Sequence, residues 1–285
     1  MVNNSDKNIQ IPLLYKFKKH LSDTTSLNAD NINRQLIYVE MFLEYYKEKN
    51  NIANILDYDN ISANDITFFL NEQRDIQKNA VKTLNIKLRA IKKFFTYLND
   101  NGYTNQNVSL YVKYYKCEDK EPVVIPHSDL KKIMDYMYED NMSLAFITIT
   151  KMSAYMGLTL HEIFNLKIDA VNQVDRKLSL YRDNSKYTFP IPNTLYPDLK
   201  EYISYRKVNN PKEIDSLFIS STGNPYSLRT YQAAFKELLI KCNIENKYSP
   251  RNLRSTFLKE MAKKVPLSEL KAISNQEKLK QYYKI

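Results

Sequence analysis

Apolar residues recur at three- and four-residue spacing through the first 116 residues, and no other feature of the chain constrains its fold as much. In residues 31–46, Ile32, Leu36, Val39, Phe42 and Leu43 fall on one face of a helix. Ser62 opens a second helix, with Asp65 three residues on as a near capping box, and Ile66, Phe69 and Leu70 follow at helical spacing. A third helix over residues 79–98 sets Leu84, Leu88, Ile91, Phe94, Phe95 and Leu98 on one side, and Asn101-Gly102 is its stop signal. Residues 9–116 therefore read as helical throughout.

Residues 117–126 (CEDKEPVVIP) carry two prolines and mixed charges and read as a linker. Ser128 starts a further helix, and residues 143–166 continue helical. The period then changes. Residues 177–181 and 187–191 read as two short strands around the turn Asp183-Asn184, and Pro190 suits an edge strand. Helices return at about 194–208, 227–242 and 251–264. The expected fold is mainly α with a small antiparallel β-sheet: a helical domain over 1–116, a linker over 117–126, and a mainly helical second domain over 127–285.

Charge points to a partner. The chain has 42 Lys+Arg against 32 Asp+Glu, a formal net charge of +10, which suits a polyanion. The cations are unevenly spread. Lys82, Lys87, Arg89, Lys92 and Lys93 occur with no acid among them, and Lys247, Arg251, Arg254, Lys259, Lys263 and Lys264 are opposed only by Glu260. One basic stretch in each domain is what gripping a duplex from two sides requires.

Several classes are disfavoured. With 3 glycines the chain has neither GxxxxGK[ST] nor GxGxxG, so nucleotide-dependent chemistry is not expected. Cys117 and Cys242 form no disulfide framework and no zinc spacing, and His20, His127 and His161 are not spaced as ligands. No apolar run reaches the length of a membrane span, and the N-terminus lacks the pattern of a signal peptide. The expectation is a cytoplasmic protein that needs no metal or cofactor.

The order of these elements resembles the tyrosine recombinase (phage integrase) family over roughly residues 10–285. Four landmarks carry the likeness: the helix with Lys82-Thr83-Leu84-Asn85 and the Phe94-Phe95 pair; Gly157-Leu158-Thr159-Leu160-His161-Glu162-Ile163; Leu217-Phe218-Ile219-Ser220 followed by Gly223-Asn224-Pro225; and Ser249-Pro250-Arg251-Asn252-Leu253-Arg254-Ser255, with Tyr282-Tyr283 where the family's nucleophile sits. The resemblance implies a two-domain clamp around double-stranded DNA, and a metal-free reaction in which a Tyr hydroxyl attacks a DNA phosphate. Two guanidinium groups would grip the phosphate and a hairpin Lys would serve as general acid.

Compared position by position, the family pattern G-L-R-x-x-E-L has Thr159 at the Arg, and H-x-L-R-H reads Arg251-Asn252-Leu253-Arg254-Ser255. The family's L-G-H reads Ile273-Ser274-Asn275. Arg254 keeps the second Arg. Tyr283 is preferred over Tyr282 as the vestigial nucleophile. Lys186 lies on the expected hairpin, although ungapped counting from Pro190 puts Arg182 at the family position. Loss of a transition-state guanidinium costs about 10³–10⁵-fold in rate by analogy with arginine fingers.

The expectation is therefore an inactive scaffold that binds DNA at specific sequences, as a phage or mobile-element transcriptional repressor does. The alternative is a divergent, active recombinase. The expected DNA contacts are Lys82, Thr83, Asn85, Lys87, Arg89, Lys92, Lys93, Lys186, Arg229, Arg251 and Arg254, with self-association or another regulatory protein as further partners.

Overall fold

The computed structural model describes residues 10–25, 27–55, 57–117, 121–182, 185–244, 248–276 and 279–283. The chain divides into two compact units, Met1–Glu118 and Asp119–Ile285. The turn Asp183-Asn184 and Lys247 lie outside the described residues, as do residues 118–120 of the expected linker.

The first unit is built from α1 (Gln10–Thr24), α2 (Ala29–Asn50), α3 (Ala63–Asp75) and α4 (Val81–Asp100). Each helix start has a local cause. Asn28 accepts the Asn31 N–H ahead of α2, and Ser62 with Asp65 forms a full capping box on α3. All six apolar positions expected on the third helix are fully buried on α4. Their partners are aromatic: Phe17 meets Phe94 edge-on at 5.2 Å, and Phe42 meets Phe69 at 5.6 Å. Residues 9–116 are not helical throughout. A left-handed Asn51 (φ 51°) ends α2, and short 3-10 turns occupy Tyr58–Asn60 and Val108–Tyr111.

In the second unit, α5 (His127–Glu139) starts one residue before Ser128, with Pro126 at the cap. α6 (Leu144–Met156) is buried almost all round, the pattern of a helix at the centre of a core. Its cation, Lys151, is paired rather than exposed. The ammonium donates to Asp198 Oδ2 at 2.6 Å and to the Thr194 carbonyl at 2.9 Å, and also to the Tyr138 hydroxyl. The expected continuous helix over 143–166 breaks at Gly157 (φ +64°), and α7 (Leu160–Phe164) follows after a turn.

The sheet is antiparallel, ordered β1 (Val171–Asn172), β2 (Lys177–Arg182), β3 (Ser185–Pro190). β3 is an edge strand that ends at Pro190, which pairs with Lys177. The two-residue β1 was not anticipated. Then come α8 (Tyr196–Val208), α9 (Leu228–Lys241), α10 (Pro250–Ala262) and α11 (Leu267–Ser274), the last also unanticipated. Part of the expected linker is fastened down. The Ile125 N–H donates to Thr256 Oγ1 at 2.8 Å, and Asn252 Nδ2 to the Val123 carbonyl at 2.8 Å, both on α10. No helix among the described residues is long and apolar enough to cross a membrane.

Candidate functional site

The turn after α6 builds one wall of a cavity of about 710 Å³ in the second unit. Thr159 caps α7. Its Oγ1 accepts the Glu162 N–H at 3.1 Å, while its own N–H and hydroxyl donate to Glu162 Oε2 at 2.7 and 2.8 Å. The other carboxylate oxygen faces the sheet. On β2 the buried residues alternate as Leu178, Leu180 and Arg182, so the strand's period of two turns Arg182 inward. Arg182 Nε donates to Glu162 Oε1 at 2.6 Å and Nη1 to the Ile273 carbonyl at 2.7 Å. The guanidinium also lies over the rings of Phe189 and Tyr187, at 5.1 and 5.7 Å from their centroids.

Arg254 enters from α10. Its Nη1 donates to the Gly157 carbonyl and stands 3.7 Å from Glu162 Oε2, and Nη2 donates to the Ser274 carbonyl at 2.6 Å. One carboxylate is thus shared by two guanidinium groups. Burial pushes the Glu162 carboxyl up, but the two Thr159 hydrogen bonds and the Arg182 charge outweigh it and hold the group below the usual carboxylate range. Burial also lowers the Arg254 pKa, with Glu162 acting against that shift and the Arg182 and Arg251 charges adding to it.

Arg251, exposed in the first turn of α10, lines the same cavity, as do His161, Ser274 and Tyr282. Against one carboxylate this gathers three arginines, so the cavity favours an anion. Ser274 Oγ is buried there without a hydrogen-bond partner. Of the two tyrosines, Tyr282 faces the cavity, its hydroxyl 3.4 Å from Ser255 Oγ. Tyr283, the residue preferred from the sequence, instead donates its hydroxyl to the Val265 carbonyl at 2.9 Å. Lys186 pairs with Tyr181 across the hairpin and is exposed, and Arg229 is exposed at the start of α9; neither lines the cavity.

In the first unit the expected contact residues separate into two groups. Lys82 and Arg89 are exposed on α4 with Ile86 between them, and Thr83 and Lys93 are half-buried nearby. Spacing of three and four residues puts Lys82, Ile86, Arg89 and Lys93 on one face. Lys87 departs from expectation: it is buried, donates to Gln73 Oε1 and lies 5.8 Å from the Tyr38 ring centroid. Burial lowers its pKa. Asn85 is also committed internally. Its Nδ2 donates to the Tyr115 carbonyl at 2.8 Å and its Oδ1 accepts the Tyr115 N–H at 2.9 Å. Lys92 is half-buried over the Tyr114 ring, at 5.2 Å from the centroid.

Sequence reasoning undervalued Arg182 and missed Glu162 and Ser274 as parts of one site. Thr159-Leu160-His161-Glu162 is a capping-box pattern and was a signal for Glu162, while strand alternation along β2 was one for Arg182. Nothing in the sequence pointed to the orphaned Ser274 hydroxyl.

A helical unit, a second helical unit with a small hairpin sheet, and a guanidinium-lined cavity faced by Tyr282 are together the features of a tyrosine recombinase fold. The chain belongs to the phage integrase family, whose pattern matches residues 124–284. It is similar to the tyrosine recombinase XerC of Mannheimia succiniciproducens, 23% identical over 260 residues that span 91% of this chain and 84% of that one. It is also similar to the tyrosine recombinase XerD of Oceanobacillus iheyensis, 22% identical over 85% of this chain and 80% of that protein. Among solved structures, the Tn1549 transposon integrase in complex with transposon right end DNA shares the fold with a TM-score of 0.73 at 14% identity, over 95% of this chain and 93% of that one. A lambda integrase dimer bound to a COC' core site gives 0.71 at 12% identity, over 93% and 94%.

Proposed function

We propose that this chain binds double-stranded DNA at specific sequences without cutting it, and regulates transcription as a phage or mobile-element repressor does. Its relatives are named recombinases, and two of the solved structures that share its fold hold DNA. The exposed Lys82–Arg89 face of α4 and the arginine-lined cavity of the second unit supply cations for phosphates.

The observation that carries the absence of cutting is the commitment of position 159. A threonine caps α7 there and adds no charge. The basic group that the hairpin sends into the cavity is Arg182, and a guanidinium cannot be deprotonated to act as general acid. A second reading, a divergent active recombinase, is favoured by Tyr282, whose hydroxyl lies beside the Arg254 cavity.

The test is genome-wide co-purification of bound DNA, followed by a denaturing gel. Discrete non-covalent sites upstream of genes are expected. A covalent protein–DNA adduct that disappears in Tyr282→Phe overturns the proposal in favour of the second reading.

A further inference from the structure

The cavity places a carboxylate among the cations that would take the phosphate. Glu162 is the hub. Its Oε1 is held by Arg182 at 2.6 Å, and its Oε2 by the two Thr159 donors, with Arg254 Nη1 at 3.7 Å. The closer of the two guanidinium contacts is that of Arg182, the more buried of the pair, whose side chain is 3% exposed. Arg254 stands at the longer distance and spends its Nη groups chiefly on the Gly157 and Ser274 carbonyls, which carry no net charge.

We propose that Arg182 is the positioning residue of this cavity: by taking up the charge of Glu162 from the sheet side, it leaves Arg254 and Arg251 attractive to a DNA phosphodiester. The inference rests on the DNA-binding reading above. It gives β2 the electrostatic part that the Thr159 turn does not play. Without Arg182, the carboxylate has Arg254 as its nearest cation, and the pair closes into a neutral bridge turned away from the ligand. Removing one guanidinium therefore silences two.

A purely structural Arg182, tying β2 to α7 and α11, predicts something different, and three variants of the full chain separate the two. Glu162→Gln keeps the capping box, because glutamine serves at that position, and removes only the charge. Arg182→Gln removes the neutralising partner. The double variant removes both.

The readout is the dissociation constant for a fluorescent random-sequence DNA duplex across a salt series, with a melting curve for each protein. Arg182→Gln is expected to weaken binding about tenfold and to flatten the logarithmic salt slope by about one phosphate equivalent or more. Glu162→Gln is expected to tighten binding several-fold, and the double variant to return to near the wild-type value. Rescue of the first loss by the second substitution is what a structural tie would not give.

A double variant as weak as Arg182→Gln, or a Glu162→Gln protein that binds more weakly than wild type, overturns the proposal. Should Arg182→Gln fail to fold, the sign of the Glu162→Gln change decides alone. Wild-type protein that does not bind the duplex refutes the DNA reading itself. Wild-type binding left unaltered in a folded Arg182→Gln protein refutes only the role of Arg182.

Discussion

Gly157 is the position where a single methyl group should do most harm. It ends α6 at φ +64° and ψ 24°, in the left-handed region, where an alanine costs about 1–2 kcal/mol more than glycine. A Cβ there would stand 2.2 Å from Phe257 Cδ1 and 2.5 Å from Cε1, far inside contact distance. Relieving it forces the half-buried Phe257 ring to move, an overpacking cost of about 1–3 kcal/mol. Gly157→Ala should therefore lose about 2–5 kcal/mol, a large share of the roughly 5–15 kcal/mol that holds a typical domain together. The perturbation also reaches Arg254, three residues before Phe257 on α10, which donates to the Gly157 carbonyl.

The assay is urea unfolding followed by far-ultraviolet circular dichroism, run as a cycle with Phe257→Ala. In the Phe257→Ala background only the backbone part, about 1–2 kcal/mol, should remain, since the ring is gone. An equal cost in both backgrounds refutes the steric argument. A Gly157→Ala midpoint indistinguishable from wild type refutes the conformational one as well.

Lys87→Met should cost about 1–3 kcal/mol of stability by stranding the buried Gln73 amide, and adding Gln73→Leu should recover most of it. Neither change should alter affinity for duplex DNA, whereas Arg89→Ala should weaken it and lower the salt slope by about one; the reverse ranking would restore Lys87 as a contact. Asn85→Ala should speed hydrogen exchange at the Tyr115 amide, which loses its acceptor, and destabilise the first unit by about 1–3 kcal/mol. The depressed Glu162 pKa contributes stability that is complete above the unfolded value of about 4.3 and is lost as pH falls through the lower folded value. Acid unfolding of Glu162→Gln should therefore be flatter below that point, and parallel curves for the two proteins would contradict it.

Elements whose cause is local were legible in the sequence. Ser62 and Asp65 announce α3, and the Leu84–Leu98 stripe announces the buried side of α4, because capping and amphipathic spacing act within a few residues. What failed were questions that only packing answers. Lys87 sits in the same basic run as Arg89, yet two positions rotate it by about half a turn and into the core. Asn85 looks like a base-reading amide, but its partner is a backbone thirty residues away along the chain. The choice between Tyr282 and Tyr283 depends on the direction of a short 3-10 turn, Lys280–Tyr282, which spacing from Asn275 does not determine. Likewise Lys186 and Arg182 share a hairpin, and strand alternation decides which of them points inward.

The capping box on α7 also makes position 159 costly to change. Installing an arginine there would deprive α7 of its N-cap, a loss of about 0.5–2 kcal/mol. The new guanidinium would then have to compete with Arg182 for Glu162, which already carries short hydrogen bonds on both oxygens. A route by single substitutions toward a charged turn passes through a less stable protein with a crowded pocket. Through the single carboxylate of Glu162, positions 159 and 182 are therefore tied together, so a substitution at one is felt at the other.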